Sequence, residues 1–190
     1  MGRMTISVLV HVETTQVVRD IVVRTDNDGN PIVPVGWLVD PDLSAVQGVD
    51  EKYWKVVNDG VVAMDASEQG AINARELERA KEKKISAIRL KTTRMVEAGF
   101  QHGGKTIILN ESDLLQLVIL ANADQSSFKP IVWPTKDGSF VEIDTMGEFT
   151  TFFRKASGLA FTMYGDARAL EESVRSAADI AAVNAIQDNR

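Results

Sequence analysis

The feature that most constrains this chain is the stretch from Asp65 to Gly99, which has the composition and the end signals of one long helix. Asp65 or Ser67 can accept hydrogen bonds from the free amide groups of a first helical turn. Glu68 then lies where the helix dipole favours an acid. Gly99 can adopt the left-handed conformation that ends a helix. About thirty residues at about 1.5 Å each predict a helix of about 45–50 Å, around which the other elements must be arranged.

The two halves of this helix differ in character. The first half is charged on nearly every side, whereas the second half carries an apolar stripe of Ile85, Ile88 and Met95, with Thr92 in register. A stripe of this spacing packs against a body. We therefore predict that only the second half packs and that residues 65–84 form a projecting connector. The charged face of the connector is interpreted as solvated, with a partner-binding coiled-coil surface as the alternative.

The segment before the helix, residues 1–64, has the composition of a small antiparallel β domain that docks onto other chains. Its predicted strands are rich in β-branched residues and include Ile6–Val12, Val17–Val23, Tyr53–Val57 and Val61–Met64. Asn-Asp-Gly joins the last two, which is a hairpin signal. Pro34 and Gly36 mark a sheet edge or a bulge. About sixty residues form only a thin core, so we expect this sheet to contact another chain.

A second long helix is predicted near the C-terminal end. Thr145 and Glu148 form a Thr-x-x-Glu capping box, which satisfies two free amide groups at a helix start. From Met146 the helix is predicted to continue to about Ala185, because its glycines weaken it without breaking it. Its predicted buried face is aromatic and aliphatic and consists of Phe149, Phe152, Phe153, Leu159, Ala160, Met163, Leu170 and Val174.

Between the two long helices we predict a short helix over Asp113–Ala123 and two hairpins, which turn at Gly103-Gly104 and at Lys136-Asp137-Gly138. The buried face predicted for the short helix consists of Leu114, Leu117, Val118 and Ala121. The predicted fold class is therefore α+β, with a small N-terminal antiparallel β domain followed by a long-helix α-hairpin domain with short inserted hairpins. The predicted domains are residues 1–64 and 65–190.

One segment, Gly99–Thr106, matches the phosphate-binding pattern G-x-x-x-x-G-K-[ST]. A phosphate-binding loop needs a buried strand before it and a helix after it, so that backbone amides and the helix dipole hold the phosphate. Here a strongly helical segment precedes the pattern and an extended one follows. We therefore predict a helix end followed by a hairpin, with an enzyme or nucleotide-binding protein as the minor alternative.

Other residues that could carry chemistry favour structural roles. The acidic turn at Asp26–Asn30 lacks the glycine and the glutamate of a calcium loop, and His11 and His102 have no ligand at metal spacing. The pair Glu171-Glu172 is expected to be solvated on a helix surface. The tryptophans Trp37, Trp54 and Trp133 fall in predicted strands, and two or three of them are expected to be core anchors. We predict no enzymatic activity, no catalytic residue, no cofactor and no bound metal.

Charge and composition exclude further classes of function. A net charge of −6 argues against binding of nucleic acid or of an anionic membrane surface. The absence of cysteine excludes disulfides and thiolate metal sites. No apolar run approaches a membrane span, and no signal peptide is predicted at the N-terminus. We expect a protein made and kept, or assembled, in a cytoplasm.

An ordered series of features follows along residues 84–178. It comprises Arg89, the sequence Glu97-Ala98-Gly99-Phe100, the Gly103-Gly104 turn, a helix from Ser112-Asp113 to Ala121 and Ala123, strands Phe128 to Trp133 and Phe140 to Ile143, and a long helix with Phe149, Phe153 and Tyr164. In these features the chain resembles the DUF4376 family, a domain of unknown function found in tail proteins of tailed bacteriophages. Residues 42–56 likewise resemble a recurrent segment of phage tail and tail-fibre proteins.

The resemblance implies a non-enzymatic structural component of a tailed-phage virion, in the tail, the tail fibre or the baseplate. Its implied partners are other tail or fibre proteins and copies of itself. Its implied location is the virion tail, after assembly in the host cytoplasm. A tail-fibre assembly chaperone that is absent from the mature virion is the alternative. Because the family is not tied to a catalytic mechanism, it implies no catalytic residue.

Overall fold

The computed structural model describes residues 4–11, 13, 17–26, 28, 30–33, 35–123 and 128–190. Contacts divide the chain into two compact units, residues 1–76 and 77–190. The predicted fold class is confirmed, since small antiparallel sheets come first along the chain and a long helix follows.

The first unit contains a four-stranded antiparallel sheet and a separate two-stranded hairpin. The sheet has the spatial order β3-β2-β1-β4, with β1 at Met4–His11, β2 at Val17–Thr25, β3 at Pro31–Ile32 and β4 at Trp37–Val39. The hairpin pairs β5 (Trp54–Val57) with β6 (Gly60–Ala63). Two 3-10 helices precede β5, at Ser44–Val46 and Glu51–Tyr53. One core cluster of the unit consists of Val10, Val46, Trp54 and Val61.

Among the residues that the structure describes, the sheet has a register shift whose position was not predicted. The register of β1 against β2 shifts between Ser7 and Leu9. Asp40 pairs with the residue in between: the amide of Val8 donates to Asp40 Oδ1, and the amide of Asp40 donates to the carbonyl of Val8, each at 2.7 Å. Gly36 leads into β4, which is an edge strand of this sheet, so the edge interpretation of Gly36 is confirmed. Pro34 lies outside the described residues.

The long helix is confirmed as α1, Ala66–Ala98. Asp65 is its N-cap, because the amide of Glu68 donates to Asp65 Oδ1 at 2.9 Å and the amide of Asp65 donates to Glu68 Oε2 at 2.8 Å. This reciprocal arrangement satisfies two amide groups that the helix leaves free. Ile88, Thr92 and Val96 are its buried residues.

The prediction that only the second half of α1 packs is wrong. In the charged half, Leu77 and Ala80 contact the buried cluster of Ile88, Ala167, Val174 and Val183. Leu77 and Ala80 continue the stripe of Ile88 toward the N-terminal end at helical spacing. The charged residues on the other faces of those turns obscure that stripe in the sequence.

The segment that matches the phosphate-loop pattern is a helix end and a hairpin, as predicted. Gly99 follows α1 with φ +79°, and β7 (Phe100–His102) pairs with β8 (Lys105–Ile107). A Cβ atom at Gly99 would lie 1.7 Å from the carbonyl oxygen of Ile107. Position 99 therefore requires glycine for its backbone conformation and for the close approach of β8.

The remaining elements of the second unit are α2 (Glu111–Ala121), β9 (Ile131–Pro134), β10 (Phe140–Ile143), α3 (Met146–Ser176) and α4 (Ile180–Ala185). Both inserted hairpins and the Thr145–Glu148 capping box are confirmed. The predicted helix end at Ala185 is wrong. The side chain of Asp179 accepts a hydrogen bond from the amide of Ala182 at 2.7 Å, so it caps a new helix start and the chain breaks after α3.

The two long helices are antiparallel where they meet in this unit. Lys81 Nζ donates to the carbonyl of Arg175 at 2.9 Å, and Arg89 pairs with Glu171. Later residues of α1 therefore contact earlier residues of α3. The larger core cluster lies beyond this contact and consists of Val96, Ile107, Leu109, Leu117, Trp133, Ile143, Phe149, Phe152 and Ala156. Trp54 and Trp133 are core anchors, as predicted.

His102 borders this core. Its ring lies edge-on to Phe152, with ring centroids 5.1 Å apart, and its buried Nδ1 has no hydrogen-bond partner among the described residues. Burial lowers the pKa of the imidazole, and the positive charge of Lys155 lowers it further.

Gly99→Ala is expected to destabilise the protein more than Gly104→Ala. Both glycines have positive φ, +79° and +75°, but a Cβ atom at Gly104 meets nothing within 4 Å. The positive φ costs about 1 kcal/mol at either position, and the overlap with Ile107 adds about 1–3 kcal/mol at position 99. Denaturant unfolding of both full-length variants measures the difference, and equal losses would contradict the close approach.

Ile88→Asp is expected to reduce the free energy of unfolding by about 3 kcal/mol or more, because it places an unpaired carboxylate in a buried cluster. Lys83→Asp is the control on the same helix, since Lys83 is exposed, and it is expected to change stability by less than about 0.5 kcal/mol. Thermal melts followed by circular dichroism compare the two variants. A similar loss for both would show that the buried face of α1 is assigned incorrectly.

Stability is expected to decline as the pH falls below about 6.5, the ordinary pKa of histidine. The pKa of His102 is lower in the folded state than in the unfolded state, so the unfolded chain binds more protons between these two pKa values. The contribution is complete above the unfolded pKa and is lost as the pH falls through the folded pKa. With His102→Phe, the free energy of unfolding is expected to change less between neutral pH and the pH at which carboxylates begin to titrate. Denaturant unfolding at several pH values measures this free energy, and an equal pH dependence for the variant and the wild type would contradict the assignment.

Candidate functional site

Helix α2 has apolar residues on its exposed sides as well as on the side that packs against the core. Leu117 is buried, but Leu115 and Ile119 are each 62% exposed and Val118 is 49% exposed. The predicted buried face is therefore wrong for Val118. A helix of three turns that packs on one side buries only one stripe, so the other apolar residues of α2 remain on the surface.

Helix α3 also has an uncovered apolar side. Phe152 and Ala156 point into the core, whereas Phe161 is 83% exposed and Tyr164 is 46% exposed. Phe152 and Phe161 are separated by about two and a half turns, so their side chains leave the helix on opposite sides. One side of α3 is thus committed to the core and the other side carries exposed aromatic rings.

Part of this apolar surface, Val118 on α2 and the exposed rings on α3, borders a groove of about 470 Å³, which we call the α2–α3 groove; Leu115 and Ile119 do not line it. Ten residues line it: Leu114, Leu117, Val118, Phe153, Ser157, Ala160, Phe161, Tyr164, Gly165 and Arg168. Arg168 is the charged member of this set. The small residues Ser157, Ala160 and Gly165 leave the space between the larger side chains of α3 open.

The polar atom of Ser157 does not compete for a ligand in the groove. Its hydroxyl donates to the carbonyl oxygen of Phe153, one turn back along α3, at 2.7 Å. A serine that bonds its own helix in this way presents mainly carbon to its surroundings. The groove therefore offers a carbon surface, which suits apolar side chains.

A second hollow, of about 310 Å³, continues from the groove past Tyr164 and Arg168, which line both. We call it the arginine hollow, since Arg89, Arg168 and Arg175 line it together with Glu171, Thr92, Thr93 and Ala167. The arginine hollow supplies charge beside an apolar surface.

Glu171 is held inside the arginine hollow by two arginines. Arg89 donates to both of its carboxylate oxygens, at 2.9 and 2.8 Å, and Arg175 donates to Oε2 at 2.6 Å. These hydrogen bonds lower the pKa of Glu171, and the bonds from Arg89 have the largest effect; burial acts in the opposite direction. The side chain of Glu171 is only 12% exposed, so the expectation of a solvated acid is wrong for Glu171. It is confirmed for Glu172, which is 76% exposed.

The other candidate residues are not gathered into this site. His11 lies edge-on to Trp37, with ring centroids 5.0 Å apart, and Asp26 accepts amide hydrogen bonds from Asp28 and Asn30 as a turn residue. Among the described residues, no group of three or more histidines and acids could hold a metal ion. No helix in that part of the chain is long and apolar enough to cross a bilayer.

The groove was not predicted, although the sequence contains a signal for it. The α2 sequence ESDLLQLVILA is apolar nearly all round, and Phe161 and Tyr164 lie off the buried stripe of α3. Either feature indicates more apolar surface than one core can cover.

Comparison with known proteins places this site in a described family. Residues 79–187 match the family described as "Domain of unknown function (DUF4376)", and the match includes both walls of the α2–α3 groove. No curated protein and no solved structure matches the chain significantly. Since the family match covers more than half of the chain, this protein belongs to the DUF4376 family.

Proposed function

We propose that this protein is a structural component of a tailed-bacteriophage virion, in the tail, the tail fibre or the baseplate, and that it acts by protein–protein assembly. The observation that carries the proposal is the α2–α3 groove. Contiguous apolar surface is rarely left open on a protein that works alone, and it marks sites of interaction. In this chain Phe161 is 83% exposed and Val118 is 49% exposed, and both line the groove.

The phage assignment is supported by resemblance. Residues 84–178 resemble tail proteins of tailed phages in an ordered series of structural residues, and residues 42–56 resemble a segment of tail and tail-fibre proteins. In the first unit the latter segment contains the two 3-10 helices and Trp54, which is buried. Residues that hold a small domain together in this way fit a part that is built into an assembly.

The N-terminal sheet offers a second surface for contact with neighbours. Strands β3 and β4 are the two edges of the four-stranded sheet, and Ile32 and Val35 are exposed beside them. A free strand edge can accept a strand of another chain through main-chain hydrogen bonds. Copies of this protein around a symmetric tail would supply such neighbours, so we include a homo-oligomeric state in the proposal.

A tail-fibre assembly chaperone is the alternative to a permanent virion part. It would use the same groove to hold the fibre during assembly in the host cytoplasm, and it would leave before the particle is complete. The two functions therefore differ in where the protein is found and not in the surface that it uses.

The test is a mass-spectrometric inventory of purified particles of the phage that encodes this chain, made with the wild type and with Phe161→Asp. We expect the wild-type chain in the particles and a loss of its incorporation with Phe161→Asp. Thr162→Asp is the matched control, since it adds the same charge to an exposed neighbouring position that does not line the groove. Both variants are expected to fold, because both positions are exposed.

Three other results would contradict this expectation. Absence from particles together with co-purification with unassembled fibre would select the chaperone function. Absence from both would reject the proposal. Equal incorporation of Phe161→Asp and Thr162→Asp would show that the groove is not the assembly surface.

A further inference from the structure

We propose that the partner segment in the α2–α3 groove is an amphipathic helix that places a carboxylate against Arg168. The inference rests on the proposed function of the groove as a docking surface. It adds the chemistry of the partner, argued from the length, the lining and the charge of the groove.

The length of the groove suits a helix. Its lining on α3 extends from Phe153 to Arg168, which is about 22 Å along a helix axis, or about four turns. Leu114 and Val118 of α2 line it from the other helix. A surface bounded by two helices accepts a third helix, whose residues at i, i+3, i+4 and i+7 contact it.

The lining of the groove selects apolar side chains for most of that length. The hydroxyl of Ser157 is already bonded within α3, and Ala160 and Gly165 add no polar side-chain atom. Phe161 and Tyr164 supply exposed aromatic surface. Away from the hydroxyl of Tyr164 and from Arg168, a partner side chain that brought an amide or a charge to the groove would lose its hydration without gaining a hydrogen bond.

The charge at one end selects a carboxylate. Three guanidinium groups and one carboxylate line the arginine hollow, and with Glu172 beside Arg175 counted as well, a formal excess of one positive charge remains. Glu171 is already bonded to Arg89 and Arg175. Glu172 is exposed and lies 3.8 Å from Arg175.

Arg168 is the arginine of this set without a carboxylate partner among the described residues, and it lines both the groove and the arginine hollow. An acid on the partner, one turn beyond its apolar residues, would reach Arg168 and neutralise this excess. A lysine at the same place would be repelled.

The test uses a bead-displayed library of helical peptides of about sixteen residues, long enough to fill the groove. Four positions at i, i+3, i+4 and i+7 are fixed as apolar, and the others are randomised. Full-length protein is the bait. We expect the enriched peptides to share an aspartate or glutamate at one end of the apolar stripe.

Variants then locate the carboxylate. Arg168→Glu is expected to reduce the affinity for the enriched peptides by about fivefold to tenfold, because an exposed ion pair becomes a like-charge contact. A peptide with lysine in place of its acid is expected to recover binding to Arg168→Glu. Arg154→Glu is the matched control, an exposed arginine on α3 that lines neither hollow, and it is expected to leave binding unchanged.

Suppose that peptide binding is lost with Phe161→Asp but is equal for Arg168→Glu and Arg154→Glu. This result would overturn the inference of a carboxylate at Arg168 and would still support the groove as a docking surface. Peptides unaffected by Phe161→Asp would count against the groove itself and so against the proposed function. Self-association of the chain that Phe161→Asp abolishes, with no enrichment of acidic peptides, would identify a second copy as the occupant and overturn the inference.

Discussion

The second unit depends on the antiparallel contact between α1 and α3. Ile88 of α1 and Val174 of α3 are fully buried in one cluster with Ala167 and Val183. On the surface of the same contact, Arg89 and Arg175 share the carboxylate of Glu171. Because one side of α3 is committed to this contact and to the core around Phe152, the opposite side carries the exposed rings of Phe161 and Tyr164.

The groove follows from how that opposite side is built. Small residues on α3 leave a depression, and α2 borders it with Leu114, Leu117 and Val118, of which Val118 remains exposed. Exposed apolar surface of this extent raises the free energy of the isolated chain in water. A partner that covers it recovers this free energy, and the arginines beside it restrict which partner fits. The core contacts of α3 and most of its groove lining therefore lie on different sides of the helix, with Phe153 at the boundary between them.

Local signals in the sequence predicted the elements well, and tertiary signals predicted less. Thr145 and Glu148 identify a helix start because a capping box is a local interaction, and Gly99 identifies a helix end because positive φ is a local requirement. The break after Ser176 was missed because an N-cap aspartate, Asp179, looks like any surface acid in an alanine-rich segment. Val118 and Glu171 were misplaced because their burial depends on which side the next helix covers, and helical spacing alone does not reveal that.

The most direct test of this account is photo-crosslinking from inside the groove in an assembled particle. A photoreactive phenylalanine analogue replaces Phe161 during infection, particles are purified and irradiated, and crosslinked products are identified by mass spectrometry. The same analogue at position 83, an exposed site on α1, reports background. The account predicts an adduct between position 161 and another virion protein, and none of comparable yield from position 83. Particles that contain the protein but give no adduct above background from position 161 would contradict it.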